Sequence, residues 1–221
     1  MSRANVREAL LSAAVRLFSS NGYNAVSMRE IAKTAGANVG SLTYHFGSKA
    51  TLLREIYQRH TEPMNHRRME LLGEARRIQD ADERLMAILR AYVVPAFSSS
   101  SDFDGGGAEF TRMRAVLSAE GNEDARAIIA GAFDTTSRAF LDAIAECLPD
   151  ADREGLIWRS QFLLGALYYA LINPERVTRL SDGAVDGNDR EAAVNQIVEA
   201  SFASFRALAK HGHDKKSGHA A

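Results

Sequence analysis

Between Asn38 and Lys49 the chain carries Asn38, Ser41, Thr43, Tyr44, His45 and Lys49, a run of amide, hydroxyl, imidazole and ammonium groups. These groups donate to or accept from phosphate oxygens and base-pair edges. Gly40, inside the run, lets a backbone come close to a ligand. Ser27 and Arg29 add a hydroxyl and a guanidinium just upstream. Bond-making chemistry has no comparable signature. No nucleophile elbow marks a serine, histidine and acid triad. His60 and His66 miss the i, i+4 spacing of a helical zinc pair, and nothing completes a metal site around them. Gly105-Gly106-Gly107 lacks the lysine of a phosphate-binding loop and reads as a linker. His211, His213 and His219 read as a solvated tail. The expectation is a binding protein with no catalytic residues, no metal and no cofactor.

Charge sharpens that expectation. The net charge is −1, but residues 1–60 hold eight Lys or Arg against three Glu, giving +5 there and −6 in the remainder. A basic segment joined to an acidic one suggests that the first meets a polyanion and the second does not. With 46% hydrophobic and 25% charged residues the chain reads as globular. Its single cysteine, Cys147, permits no internal disulfide and suits a reducing compartment; a redox role is left open. Apolar runs are too short for a membrane span, and Arg3, Arg7 and Glu8 replace the apolar stretch of a secretory leader. A soluble, unprocessed, cytoplasmic protein is expected.

The elements that must position these groups are helices. Apolar residues recur at three and four, with no convincing strand pair. Val6, Leu10, Ala13, Ala14, Leu17 and Phe18 predict a first helix over 4–20, closed by Asn21-Gly22. Ser27, three residues before Glu30, is a capping box for a short second helix from Met28 to about Ala35-Gly36. Asn38 caps a third helix ending near Phe46, anchored by Leu42 and Phe46. A long fourth helix begins at Lys49, with Pro63 expected to bend or interrupt it. Further helices are predicted over 82–97, 108–119, 123–148, 152–172 and 189–209, with a Ser- and Gly-rich loop over 98–107 and a polar loop over 173–188. Three short helices of which the second and third are joined by Gly36-Ala37 fit a helix-turn-helix, whose third helix enters the major groove.

The residues Ala13-Ala14, Leu17-Phe18, Gly22, Ser27, Ile31-Ala32, Ala35-Gly36-Ala37, Gly40, Leu42, Tyr44-His45-Phe46, Ser48-Lys49 and Leu52-Leu53 make residues 5–57 resemble the N-terminal domain of the TetR family of bacterial transcriptional regulators. Thr43 departs from the family pattern, where many members carry tyrosine, and puts one contact in doubt. The resemblance implies an all-α protein. Residues 1–48 would form the helix-turn-helix domain, 49–210 a larger helical ligand-binding and dimerisation domain, and 211–221 a flexible tail. It implies a repressor that binds palindromic double-stranded operator DNA as a homodimer and is released by a small apolar or amphipathic molecule. Ser27, Arg29, Asn38, Ser41, Thr43, Tyr44, His45 and Lys49 are the expected DNA contacts. Arg29, Ser41 and Thr43 lead as base readers, and Tyr44, His45 and Lys49 as phosphate ligands.

Two apolar segments belong to the second part. Residues 156–172 are apolar on nearly every side, and Val194, Ile197, Val198, Phe202, Phe205 and Leu208 form a broad stripe; together they suggest a helix-on-helix dimer interface. Phe97, Phe110, Met113, Arg114, Phe133, Trp158 and Phe162 are the expected effector-lining residues, with Phe103 in the same region. Arg112 or Arg114 would take a carboxylate or phosphate. Residues 109–172 are weakly similar to a fatty-acid-responsive TetR subgroup, which favours an acyl ligand. A helical carrier that never touches DNA is the rival reading, and salt-sensitive retention on heparin separates the two.

Overall fold

A computed structural model describes residues 3–98 and 107–217, with side chains at 5–98 and 107–209. The described residues are helical, without a strand: α1 Arg3–Asn21, α2 Met28–Thr34, α3 Val39–Phe46, α4 Lys49–Ala75, α5 Ala81–Phe97, α6 Gly107–Glu120, α7 Glu123–Cys147, α8 Arg153–Ile172, α9 Glu175–Leu180 and α10 Arg190–Ser217. The chain divides into two compact units, residues 1–64 with 99–134 and residues 65–98 with 135–221. Helices α4 and α7 therefore contribute one half to each.

In the first unit α1 packs on α2, α3 and, most extensively, α6. Its core joins Leu10, Ala14 and Phe18 of α1, Ile31 of α2, Leu42 and Phe46 of α3, Leu52, Leu53 and Ile56 of α4, Phe110, Met113 and Leu117 of α6, and Phe133 of α7. The capping box of α2 is formed: the Ser27 hydroxyl accepts from the Glu30 N–H, and the Glu30 carboxylate accepts from the Ser27 N–H. Asn38 Oδ1 accepts from the Ser41 N–H at 2.7 Å, starting α3. Gly36, at φ +67°, lets the chain reverse between α2 and α3 at no steric cost. Arg7 pairs with Glu55 and Arg59 with Glu8, tying α1 to α4.

In the second unit α10 packs on α5 and α8, and α5 also touches α8. Leu85, Ile88 and Leu89 of α5, Leu156, Leu163, Leu167 and Leu171 of α8, and Val194, Val198 and Phe205 of α10 are buried. Tyr92 of α5 meets Phe140 of α7 edge to face at 5.2 Å. Arg68 is buried, with Nε on the Tyr92 carbonyl at 3.0 Å and its guanidinium over the Tyr92 ring.

Three expectations are corrected. Helix α4 runs through Pro63 without interruption: proline removes one N–H, yet the flanking turns keep their bonds and the buried Tyr57, Met64 and Leu72. The polar segment over 173–188 contains α9, begun at Pro174, whose fixed φ suits a helix start. The last helix continues to Ser217, past the end expected near residue 209. Phe103 and Gly105-Gly106 lie outside the described residues; Gly107 is the first residue of α6.

Phe205→Ala should destabilise the second unit by about 3–5 kcal/mol, because the ring is fully buried and leaves a cavity. Urea unfolding of the variant against the parent measures this, and a loss below about 1 kcal/mol would contradict the packing.

Candidate functional site

Helix α3 owes its orientation to its two apolar anchors. With Leu42 and Phe46 buried, the helical period turns Val39, Gly40, Thr43 and Tyr44 to solvent. Tyr44 is 76% exposed. Ser41 and His45 lie half-buried along the flank, and the His45 ring touches those of Tyr44 and Phe46. Asn38 is exposed at the cap, its side-chain oxygen already accepting the Ser41 N–H. Arg29 of α2 is exposed, as is Ser27. Ser27, Arg29, Asn38, Thr43 and Tyr44 of the expected set are thus exposed, and Ser41 and His45 are half-buried. Val39 was missed: an apolar side chain 40% exposed at the start of this face suits a thymine methyl group. Its exposure follows from the register that buries Leu42, so the anchors were the available signal.

Lys49 has partners within the protein as well. Its Nζ donates to the Tyr23 carbonyl at 2.8 Å and to the Val26 carbonyl at 2.9 Å, and stands 4.3 Å from the centre of the Tyr23 ring. Two of its three N–H bonds close the turn between α1 and α2, so Lys49 clamps that turn and keeps one donor. Burial pulls its pKa below the ordinary lysine value, an effect opposed by the nearby Glu120 carboxylate. The Tyr23 phenol is pushed up by burial and by Asp124.

The opposite edge of the same turn is held by α6. The Glu120 carboxylate accepts from the Tyr23 N–H at 2.7 Å and the Asn24 N–H at 3.3 Å. Asn122 donates its side-chain N–H to Asn24 Oδ1 at 2.9 Å while its own oxygen caps α7 at the Ala125 N–H. Gly22, at φ +80°, stands where a Cβ would collide with the Glu120 carboxylate.

Four of the seven expected effector-lining residues come together in this unit. The rings of Phe110 and Phe133 lie 6.4 Å apart, and Tyr57 meets both, at 5.1 and 6.4 Å. Met113 is fully buried in the same cluster. The guanidinium carbon of Arg114, 5% exposed, lies 3.5 Å from the centre of the Phe133 ring. His60 stacks on Phe110 at 5.0 Å. A cleft of about 400 Å³ opens beside Tyr57, walled by Arg54, Gln58 and Thr61 of α4 and by Asp124, Ala127, Ile128, Gly131 and Ala132 of α7. The α7 wall was missed. Its signal was the small residues Ala127, Gly131 and Ala132 on one helical face, which leave room between two helices.

The other three do not join them. Phe97 is buried in the second unit. Trp158 and Phe162 are 53% and 55% exposed on the outward face of α8, their rings 6.0 Å apart. Arg112, considered for a ligand carboxylate, is exposed on α6. Among the described residues no group of three or more His, Cys, Asp or Glu could hold a metal ion, and no helix is long and apolar enough to cross a membrane.

Two family models match the chain. Residues 10–56 match the bacterial regulatory proteins of the tetR family, and residues 90–203, just over half of the chain, match the tetracyclin repressor-like C-terminal domain. The chain belongs to the TetR family. LmrA of Bacillus subtilis, an HTH-type transcriptional regulator, is 35% identical over 106 residues, 48% of this chain and 54% of the relative. The chain thus spans about half the length of that curated relative. Among solved structures, FadR of Bacillus subtilis, in complex with stearoyl-CoA, is 17% identical with TM-score 0.52, covering 89% of this chain and 98% of that one. A regulator from Saccharomonospora viridis in complex with choline is 21% identical with TM-score 0.59, covering 89% and 96%. This TetR-family chain shares their all-helical fold, with the helix-turn-helix at its N-terminal end.

Lys49→Met should lower stability by about 1–2 kcal/mol, since it leaves the Tyr23 and Val26 carbonyls without their donor. Thr43→Ala, on the exposed face of α3, should stay within about 0.5 kcal/mol of the parent. Equal losses in urea unfolding would remove the distinction between clamp and reading face.

Proposed function

We propose that the protein is a ligand-responsive transcriptional repressor that binds palindromic operator DNA as a homodimer. The observation that carries this is α3: a helix capped by Asn38, anchored by Leu42 and Phe46, that turns Thr43 and Tyr44 outward from the basic segment 1–60. Arg16, Arg29, Lys33 and Arg54 are exposed on that segment, whereas Arg7 and Arg59 are paired internally. Arg29, Ser41 and Thr43, with Val39, would read base edges; Tyr44, His45, Lys49 and Ser27 would fix the phosphates. Residues 1–48 carry DNA reading in this scheme, and 49–210 carry ligand binding and dimerisation.

The dimer rests on the outward face of α8. Trp158, Phe162, Tyr169 and Ile172 are between 45% and 55% exposed, with Gly165 and Ala166 on the same side, while Leu156, Leu163, Leu167 and Leu171 point inward. An aromatic stripe of this length is a surface that a second copy would cover. Two-fold symmetry would then set the recognition helices about 34–36 Å apart, one turn of DNA.

The effector site in this reading is centred on Tyr57, Phe110, Met113, Arg114 and Phe133, and Tyr57 also lines the cleft between α4 and α7. The solved relatives hold ligands of opposite kinds, an acyl thioester and a quaternary cation. The apolar cluster favours the former class, whose acyl chain it would bury beside the guanidinium of Arg114. Reducing DNA affinity a thousandfold requires about 4 kcal/mol of ligand preference for the released state.

Three outcomes test this reading. Anisotropy with duplexes selected by the protein from a random pool should give a tight complex whose affinity falls steeply with salt, lost at least tenfold in Tyr44→Ala. Phe162→Glu should convert a dimer into a folded species near the monomer mass of 24.1 kDa by light scattering. Stearoyl-CoA or a long-chain fatty acid should raise the melting temperature and release DNA, and choline should do neither. A DNA-inert protein would sink the regulator, a dimer mass left unaltered by Phe162→Glu the interface, and a choline response the preference for an acyl ligand.

A further inference from the structure

Helix α9 and the residues after it form a closed loop on the second unit. The chain leaves α8 at Asn173, turns through α9 and comes back at Gly187, where a Cβ would overlap the Pro174 carbonyl oxygen. Hydrogen bonds hold the loop. The Thr178 carbonyl accepts from the Gly183 N–H at 2.9 Å, the Thr178 hydroxyl from the Gly187 N–H at 2.8 Å, and the Ser181 hydroxyl from the Val185 N–H at 3.0 Å. No α9 residue is buried, so apolar packing contributes little to this order. Val177, Leu180 and Val185 are instead exposed, Leu180 at 66%. A loop already ordered loses little conformational entropy on binding, and its apolar side chains are available to another molecule.

The loop continues the outward face of α8. Asn173, which joins α8 to α9, donates its side-chain N–H to the Tyr169 hydroxyl at 3.3 Å. Trp158, Phe162 and Tyr169 are each about half exposed, and with about 150–250 Å² per aromatic side chain they offer roughly 300 Å² together. A stable interface takes about 800 Å² from each partner. The aromatic stripe falls short of that, and the loop extends it at the end where it stops. The stripe is centred on Gly165, where a Cβ would meet nothing within 4 Å. Trp158 and Ile172 stand seven residues to either side, about 10 Å along the axis. In a two-fold pair whose α8 helices cross antiparallel at Gly165, Ile172 of one copy meets Trp158 of the partner subunit. The loop begins just past Ile172, and the half-exposed Ile157 lies just past Trp158.

We propose that residues 174–188 are an arm that seats Val177, Leu180 and Val185 on the start of α8 in a second copy of the chain, around Ile157 and Trp158 of the partner subunit. The arm rests on the α8 dimer proposed above and adds the α8–α10 connection to its interface.

Sedimentation of the full-length protein over a dilution series tests the arm. Leu180→Glu should weaken dimerisation at least tenfold with an unchanged circular-dichroism spectrum, because the side chain takes no part in the core of one copy. Leu180→Ala should fall between. Cross-linking tests the pairing. Cys147 is the sole cysteine and is buried. A Leu180→Cys chain mixed with an Ile157→Cys chain and oxidised should therefore yield a covalent dimer, which neither chain forms alone, because the dyad holds like positions apart. Dimerisation unaltered by Leu180→Glu, absence of the mixed disulfide, or self-linkage of the Leu180→Cys chain overturns the arm. If Phe162→Glu splits the dimer and Leu180→Glu does not, the α8 interface stands and the arm alone falls. A parent that is monomeric at every concentration overturns both.

Discussion

One four-residue turn, Tyr23 to Val26, is held from both sides by opposite charges. An ammonium from the start of α4 takes its carbonyls, and a carboxylate from the end of α6 takes its amides. A free turn of this length would leave those backbone groups to water and the angle between α1 and α2 to chance. Because α2 starts at Ser27 and α3 follows from α2 by a tight reversal, fixing this turn fixes the direction in which Tyr44 points. Opposite charges on one peptide segment also moderate each other, which is why Lys49 can be drawn partly out of water and keep its bonds.

Much of this was legible before any coordinates. The capping box at Ser27 and Glu30, the Asn38 cap and the Leu42 and Phe46 anchors each have a local cause within a few residues, and each appears as expected. What escaped was set by distant partners. Lys49 looks like a phosphate ligand in sequence because it stands at the N-terminal turn of a helix; that it also binds carbonyls 23 and 26 residues away is invisible there. Glu120 carries no sequence signal at all, since its partners lie 96 and 97 residues upstream.

Helix α8 shows a different limit. A helix apolar on nearly every side has too little polar face to set its rotation, so periodicity cannot say which half meets the core. The leucines go inward, where flexible aliphatic chains fill a close-packed interior, and Trp158, Phe162 and Tyr169 go outward. Large rings on a surface are characteristic of contacts between molecules, whereas in sequence they look like the lining of a cavity.

In the proposed dimer that outward stripe would change how the molecule responds to its own abundance. A chain that reads a two-fold site only when paired has an active concentration that grows with the square of the monomer concentration while pairs are scarce. Dilution would then silence it faster than proportionally, and a modest rise in synthesis would switch it on sharply. The rings along α8 would thus set a threshold on dosage, independent of any small molecule.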